Sequence, residues 1–248
     1  MLKFSTEPKR LMDMIQKSLM NNALVGATAT FTPTGVVVSD SSKGTLGAHC
    51  TFSPRYFKSY AVDQDHEILL NKAFYDGLSD LRFSGEDEVT VEVDFAAECF
   101  KVTSTKGLDW KPKLSKESGK KIPFQLRETP GVGILPLDPR SERQIHNQFA
   151  TLVDNLSVPK VEKVSLHVSG GKLTLELDYD GPFVKPIPLE SPKVRKMDTD
   201  DISTIFVEQL NNILANFKGD VFITTYDKVV FFTQITPDFS MMYYAATT

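Results

Sequence analysis

Four stretches of the sequence repeat apolar residues at the spacing of an amphipathic α-helix. The first and third follow an acid–proline pair, Glu7-Pro8 and Asp138-Pro139, and proline is well tolerated in the first turn of a helix. The third stretch has the clearest helical pattern. The sequence therefore predicts four helices with one apolar face each, carried by Leu11, Ile15 and Leu19; Phe74, Leu78 and Leu81; Ile145, Phe149, Leu152, Val153 and Leu156; and Leu210, Ile213, Leu214 and Phe217.

Between these stretches apolar and polar residues alternate, which is the pattern of half-buried β-strands. Residues 183–189 are also extended in character but are broken by prolines. Asn71 precedes the second helical stretch and suits its N-cap. Strands are predicted over 88–93, 134–137, 163–168, 172–178, 220–225, 229–235 and 241–246.

The order of these elements occurs twice along the chain. The segment ILL–NKAFYDGLSDL–EVTVEV in the first half matches STIFV–EQLNNILANF–DVFITT in the second. Residues 111–133 lie between the copies, are rich in Lys, Pro, Gly and Ser, and have no apolar period, so they read as a linker. The predicted fold class is α+β, with two similar domains at 1–114 and 133–248, a connecting loop at 115–132, and helices on one side of the sheets.

Composition and charge narrow the possible functions. The chain has 248 residues, of which 41% are hydrophobic and 24% charged, as in ordinary globular proteins. Its net charge of −4 argues against coating nucleic acid over the whole surface, although one face can still be basic. No apolar run approaches the ~20 residues that cross a bilayer, and no secretory signal is visible. Two cysteines are too few for a disulfide framework and indicate a reducing compartment.

The sequence carries no constellation typical of an enzyme. Its four histidines and two cysteines lack the spacing of a metal site. Gly131-Val132-Gly133 lacks the third glycine and the Lys-Ser/Thr of phosphate-binding loops, and no G-x-S-x-G motif occurs. We therefore expect no catalytic activity, no metal and no cofactor.

Residues 35–60 carry a resemblance to a known family. They contain a glycine-led strand, the turn Asp40-Ser41-Ser42-Lys43, and the aromatic turn Phe57-Lys58-Ser59-Tyr60. The segment Met242-Tyr243-Tyr244-Ala245-Ala246 closes the chain in a similar way to that family. Together with the repeat and the linker, these features resemble the sliding clamps of DNA replication, the proliferating cell nuclear antigen (PCNA) family of processivity factors.

The resemblance implies a function without chemistry. Three subunits of two domains each would close head to tail, most simply as a homotrimer, and the helices would line a hole for double-stranded DNA. Such a ring tethers a DNA polymerase, nuclease or ligase, which bind through short peptide motifs, and an ATP-driven clamp loader opens it. It would work in the cytoplasm of a prokaryote or virus-infected host, or in a eukaryotic nucleus.

Basic residues on the polar faces of the predicted helices are the expected DNA contacts. They would touch the phosphate backbone without reading bases. Acidic neighbours offset several of them, so a weakly basic lining is expected. The predicted DNA-binding residues are Lys9, Arg10, Lys17, Lys72, Arg140, Arg143 and Lys218.

The resemblance also implies a docking surface for client peptides between the linker and the C-terminal segment. Apolar linker residues would form one wall, although they could instead pin the linker to the sheet. Lys43, Lys228 and Ala246-Thr247 depart from the usual family residues, so peptide preference is expected to differ. The predicted partner-binding residues are Lys43, Leu46, Ile122, Phe124, Leu126, Lys228, Tyr244 and Ala245.

Ring closure requires an open strand edge in each domain, because a neighbouring subunit would cover it. The expected edges are residues 108–114 and 173–178. The predicted interface residues are Leu108, Trp110, Leu173, Leu175 and Leu177.

Two other functions remain open at this point. The chain could be a subunit of a heterotrimeric or checkpoint-type clamp, which would stay monomeric alone. It could also be an adaptor that uses its sheet face and linker without encircling DNA.

Overall fold

The computed structural model describes the following residues: 1–20, 26–42, 45–81, 83, 87–115, 128–129, 133–134, 141–145, 162–169, 172–178, 184–189, 193–196 and 201–248. The chain forms two compact units. The first consists of Met1–Asp40, Ala48–Pro123 and Ile235–Met241, and the second of Ser41–Gly47, Phe124–Gln234 and Met242–Thr248. The contiguous domain bounds predicted from the sequence stay a prediction.

The first unit contains two sheets and two helices in its described residues. Its elements are β1 (Leu2–Thr6), α1 (Pro8–Ser18), β2 (Gly26–Thr32), β3 (Gly35–Ser42), β4 (Leu46–Phe52), a 3₁₀ turn (Pro54–Tyr56), β5 (Ser59–Val62), β6 (His66–Asn71), α2 (Lys72–Ser79), β7 (Val89–Asp94), β8 (Cys99–Ser104) and β9 (Asp109–Trp110). The strand orders are β5–β1–β7–β8–β9 and β4–β3–β2–β6.

Local sequence explains both helices of this unit. Glu7 has an extended backbone at the N-cap of α1, and Pro8 is the first helical residue. Leu11 and Ile15 are buried on the apolar face of this helix. The Asn71 side chain accepts a hydrogen bond from Phe74 N at 2.9 Å, so the predicted N-cap of α2 is confirmed.

The second unit repeats this plan. Its elements are β10 (Glu128–Thr129), β11 (Gly133–Ile134), β12 (Ser141–Ile145), β13 (Lys163–Ser169), β14 (Lys172–Asp178), β15 (Val184–Leu189), β16 (Lys193–Lys196), β17 (Asp201–Phe206), α3 (Val207–Leu214), β18 (Val221–Thr225), β19 (Val229–Ile235) and β20 (Phe239–Ala246). β4 lies mostly in the first unit and β20 mostly in the second.

Apart from the two-stranded sheet β10–β11 of the second unit, the strand orders of the two units correspond. In the second unit they are β16–β12–β18–β19–β20 and β15–β14–β13–β17. Each strand holds the place of its counterpart in the first unit, so β9 corresponds to β20, β4 to β15, and β6 to β17. The α+β fold class and the internal repeat predicted from the sequence are therefore confirmed.

The predicted helix after Asp138-Pro139 is wrong over Ser141–Ile145. These residues form β12, which pairs with β16 on one side and β18 on the other. Backbone pairing on both sides satisfies the main-chain groups of a strand, and this tertiary partnership overrides a local helical period. The rest of the apolar stripe, residues 146–156, lies outside the described residues, as do residues 135–140.

The expected open edge at residues 173–178 is also wrong. β14 pairs with β13 on one side and with β15 on the other, and Leu173, Leu175 and Leu177 are buried. Among the described residues the edge belongs instead to β15, within the segment predicted to be extended and broken by prolines. Pro186 and Pro188 are two residues apart, so their missing N–H groups lie on the same side of the strand, which suits an edge strand.

No helix in the described ranges is long and apolar enough to cross a membrane.

Candidate functional site

Arg10 is held in place at the N-terminal end of α1. Its guanidinium donates to the Tyr56 carbonyl oxygen at 2.9 Å and lies over the Tyr56 ring, 5.5 Å from the centroid. In return, the Tyr56 hydroxyl donates to the Arg10 carbonyl oxygen at 2.8 Å. Asp238 lies 3.9 Å from the guanidinium. Arg10 remains partly exposed and neighbouring Lys9 is exposed, so both keep the expected outward position.

Tyr56 is a neighbour of Arg10 that the sequence did not reveal. Burial raises the pKa of its phenol, and the nearby Asp13 carboxylate raises it further. The hydroxyl therefore stays protonated and continues to donate to Arg10. The sequence did not link it to Arg10, because the two residues are 46 positions apart along the chain.

Lys17 does not have the expected outward position. It is only 6% exposed, forms an ion pair with Asp13, and places its ammonium 4.7 Å from the centroid of the Phe239 ring. It lies two helical turns after Arg10, on the flank of α1 that packs on aromatic residues. We expected Lys17 to face water because it is charged. The aliphatic stem of a lysine nevertheless packs readily on apolar surface.

The remaining basic residues have mixed surroundings. On α2, exposed Lys72 pairs with Asp76 one turn later, an exposed ion pair worth little. Lys218 is exposed after α3, and its carbonyl oxygen accepts from the Gln234 side chain at 2.7 Å. Arg143 is in β12, so its predicted helical position is wrong, and Arg140 lies outside the described residues.

Part of the predicted partner surface assembles within the second unit. Tyr244 is fully buried, and its ring lies against the Gly47 backbone, where an added Cβ would be 2.2 Å from Cε1. Leu46 and Ala245 are also buried, whereas Lys228 is exposed. Lys43, Ile122, Phe124 and Leu126 lie outside the described residues.

Three consecutive backbone N–H groups fasten the C-terminal segment to this region. Ala246 N donates to Thr45 O at 2.8 Å, Thr247 N to Lys228 O at 2.9 Å, and Thr248 N to Thr204 O at 2.9 Å. We call Ala246–Thr248 the strap. Because Lys228 and the residue before Leu46 both bond to the strap, these predicted partner residues do come together.

An open edge is present in each unit. Among the described residues, β9 pairs with β8 alone and β15 with β14 alone. Trp110 of β9 is half-buried: it stacks on Phe74 with centroids 5.6 Å apart, and a Cβ added at Gly77 would lie 2.6 Å from its Cζ2. Leu108 is half-buried beside it.

Two histidines form cross-strand hydrogen bonds. Ser39 Oγ and His49 Nδ1 are 2.7 Å apart, and His167 Nδ1 lies 2.9 Å from Glu176 Oε1. Burial lowers the pKa of His49. No group of three or more His, Cys, Asp or Glu side chains in the described part of the chain is arranged to hold a metal ion.

Comparison with known proteins identifies the fold. No protein-family model matches the sequence, and no curated protein matches it. The structure is similar to the PCNA2–PCNA3 complex of Sulfolobus tokodaii (15% identity, TM-score 0.80, 99% of this chain and 98% of that chain). It is also similar to A. fulgidus PCNA bound to the C-terminal region of FEN-1 (14%, 0.79, 100% and 98%) and to PCNA of Entamoeba histolytica (9%, 0.80, 100% and 98%).

These likenesses extend along nearly the whole of each chain. The chain therefore has the fold of the PCNA sliding clamps.

Proposed function

We propose that this chain is a sliding-clamp subunit that closes into a ring around double-stranded DNA and tethers DNA-processing enzymes to it. The ring performs no catalysis. A clamp of this kind works where DNA is replicated, in the cytoplasm of a prokaryote or virus-infected host or in a eukaryotic nucleus. The fold shared with PCNA clamps over the whole chain supports this function.

The observation that carries the proposal concerns β9 and β15. Each has one strand partner among the described residues, whereas its counterpart in the repeat has further hydrogen-bonded neighbours. β9 corresponds to β20, and β15 to β4. Around β20, Ala246 N donates to Thr45 O within the second unit, and Ser53 N donates to Asp238 O at 2.9 Å within the first. Equivalent bonds between β9 of one subunit and β15 of the next would give each edge a partner.

Such head-to-tail pairing uses two different surfaces and generates a ring when the rotation closes. A homotrimer with two units per subunit would be the simplest closed form. In this scheme Leu108 and Trp110 keep their predicted interface role, and β15 replaces β14.

DNA contact in the ring would be weak and independent of sequence. Lys9, Arg10, Lys72 and Lys218 remain candidates, together with Arg140 and Arg143, while buried Lys17 is withdrawn. Asp76 offsets Lys72, and Asp238 lies near Arg10. A ring that slides benefits from few phosphate contacts, since each one adds affinity and salt dependence.

Client proteins would dock short peptide motifs beside the strap. The A. fulgidus relative was solved with the C-terminal region of FEN-1, which supports a nuclease as one class of client. Polymerase and ligase are proposed on the same basis, with a clamp loader to open the ring. The pocket would be bounded by Leu46, Lys228, Tyr244 and Ala245, and by the linker.

The deciding experiment measures mass and topology together. Light scattering of the purified chain should give a trimer. After loading, the protein should stay on circular DNA and be lost when the circle is cut. A trimer that remains bound after cutting would contradict encirclement, and a monomer that binds clients but never stays on circles would indicate an adaptor.

A heteromeric ring is the second candidate. The Sulfolobus tokodaii relative is a complex of two different PCNA chains, PCNA2 and PCNA3. A monomer in isolation that becomes a stable ring only with a second chain of the same fold would favour this form over the homotrimer.

A further inference from the structure

The strand β17 has an outer edge that differs from the two edges proposed for ring closure. Within the described chain its strand partner is β13 alone. Thr204 O accepts a hydrogen bond from Thr248 N, so the main-chain groups of Thr204 point away from β13. Main-chain direction repeats every second residue in a strand, so Ile202 and Phe206 direct their N–H groups to the same edge.

Apolar side chains flank this edge. Ile202 is 58% exposed and Phe206 is 41% exposed, and both project from the same face of β17 as Thr204. Large apolar side chains concentrated on an unpaired strand edge are a template for another extended chain, unless the protein covers them. Among the described residues, the strap contacts this edge through one backbone hydrogen bond, from Thr248 N to Thr204 O.

The charges around the edge are mainly acidic. Phe206 lines an open cavity of about 730 Å³ together with Glu162 and Glu208, and both carboxylate residues are exposed. The Lys163 ammonium lies 5.5 Å from the centroid of the Phe206 ring and offsets only part of this charge.

We infer that the β17 edge is a docking site for an extended segment of a partner protein, which adds as a strand and displaces the end of the strap. Side chains opposite Ile202 and Phe206 would be apolar and lie four residues apart, because alternate residues of a strand share a face. Basic residues would flank them, matching Glu162 and Glu208. The inference goes beyond the clamp function and does not require a closed ring.

The charge pattern favours such a partner over a second copy of this chain. Antiparallel pairing of β17 with itself around Thr204 would place Asp201 of one copy opposite Val207 of the other, beside that second copy's Glu162 and Glu208. Like charges placed opposite each other across a strand pair are destabilising. A partner with basic flanks meets no such repulsion.

The probe is an acetylated and amidated peptide of alternating Val and Thr flanked by Arg, titrated into the full chain by calorimetry. We expect I202D and F206D each to weaken binding by about tenfold or more, equivalent to ~1.4 kcal/mol. The matched control is I235D, because Ile235 is 69% exposed but belongs to the other unit. This variant should bind as the unmodified chain does.

Two further arms test the strand geometry. Removing Thr247 and Thr248 should strengthen binding severalfold, because Thr204 O becomes available. N-methylation along one edge of the peptide should abolish binding, because the added strand then lacks its donors.

Several results would overturn the inference. They are absence of binding at millimolar peptide, equal weakening by I235D, and equal binding of the N-methylated peptide. A dimer in sedimentation that I202D dissociates would also overturn it, since the occupant would then be a second copy. None of these outcomes depends on the ring or on DNA, so a failed clamp test leaves the inference standing and the reverse also holds.

Discussion

β9 and β20 hold equivalent places in the repeat, and each packs an aromatic ring onto a glycine. Trp110 of β9 covers Gly77 of α2, where an added Cβ would lie 2.6 Å from the ring, and Tyr244 of β20 covers Gly47, where it would lie 2.2 Å away. Tyr244 is fully buried, whereas Trp110 is only half-buried. The difference follows the neighbours: the end of β20 is bonded to Thr45, whereas β9 has a strand partner on one side only among the described residues.

The repeat therefore completes the packing of its aromatic ring in one copy and leaves it incomplete in the other. The half-buried tryptophan and the open edge are what the proposed pairing of β9 with β15 of another subunit would cover. The following three predictions test that contrast, beginning with the largest effect.

Replacing Tyr244 by alanine should lower the free energy of unfolding by about 3–5 kcal/mol, the range for a fully buried aromatic side chain. Its ring contacts Gly47 and lies 5.9 Å from the Phe231 ring, in a cluster with Val229. Urea titration measures the loss. Trp110→Ala should cost clearly less, and exposed Lys228→Ala should stay within about 0.5 kcal/mol of the unmodified chain.

Equal losses for Tyr244→Ala and Trp110→Ala in the monomeric chain would contradict the contrast between a completed and an incomplete site.

The sequence predicted much of the framework behind this comparison. Apolar spacing located α1, α2 and α3, because each helix buries one stripe against its own unit, and Asn71 marked the start of α2. The twofold repeat was visible because the matching segments share pattern and length.

Other features depend on neighbours that are distant along the chain. The apolar spacing after Asp138-Pro139 predicted a helix that included Ser141–Ile145. These residues instead pair with β16 and β18 and form a strand. The prolines of β15 interrupt the strand pattern, so the sequence did not identify an edge strand there. A proline removes a backbone donor on one side of a strand only, and β15 can still pair on its other side. Lys17 looked solvent-exposed, since its aromatic partner Phe239 is remote in sequence.

The site was less predictable than the fold for the same reason. Tyr56 supports Arg10 across two elements, and Tyr244 meets Gly47 across most of the chain. Local patterns reveal which residues are polar or aromatic but not which of them meet.

The second prediction applies one substitution to the two glycines. Gly47→Ala should destabilise the chain by about 1–3 kcal/mol, the usual cost of overpacking, because the Tyr244 ring is fully buried and has little room to move. Gly77→Ala should be close to neutral. The half-buried Trp110 ring can shift outward, and alanine gains about 1 kcal/mol over glycine inside a helix.

Thermal and urea unfolding of the two variants under identical conditions measure this difference. A larger loss for Gly77→Ala than for Gly47→Ala would mean that the Trp110 site is already complete without a second chain.

The last and smallest effect is spectroscopic. Trp110 is the chain's single tryptophan, so its emission reports only on the β9 edge. Closing this edge against β15 of another subunit should remove water from the half-buried ring and shift its emission to shorter wavelength as the protein concentration rises. Light scattering on the same samples should show the increase in mass at the same concentrations. The matched control carries Trp110→Phe and Ile235→Trp, which moves the reporter to an exposed position outside β9, so its emission should not change with concentration. Mass that rises while Trp110 emission stays constant would exclude β9 from the interface and leave the half-buried ring as a property of the monomer.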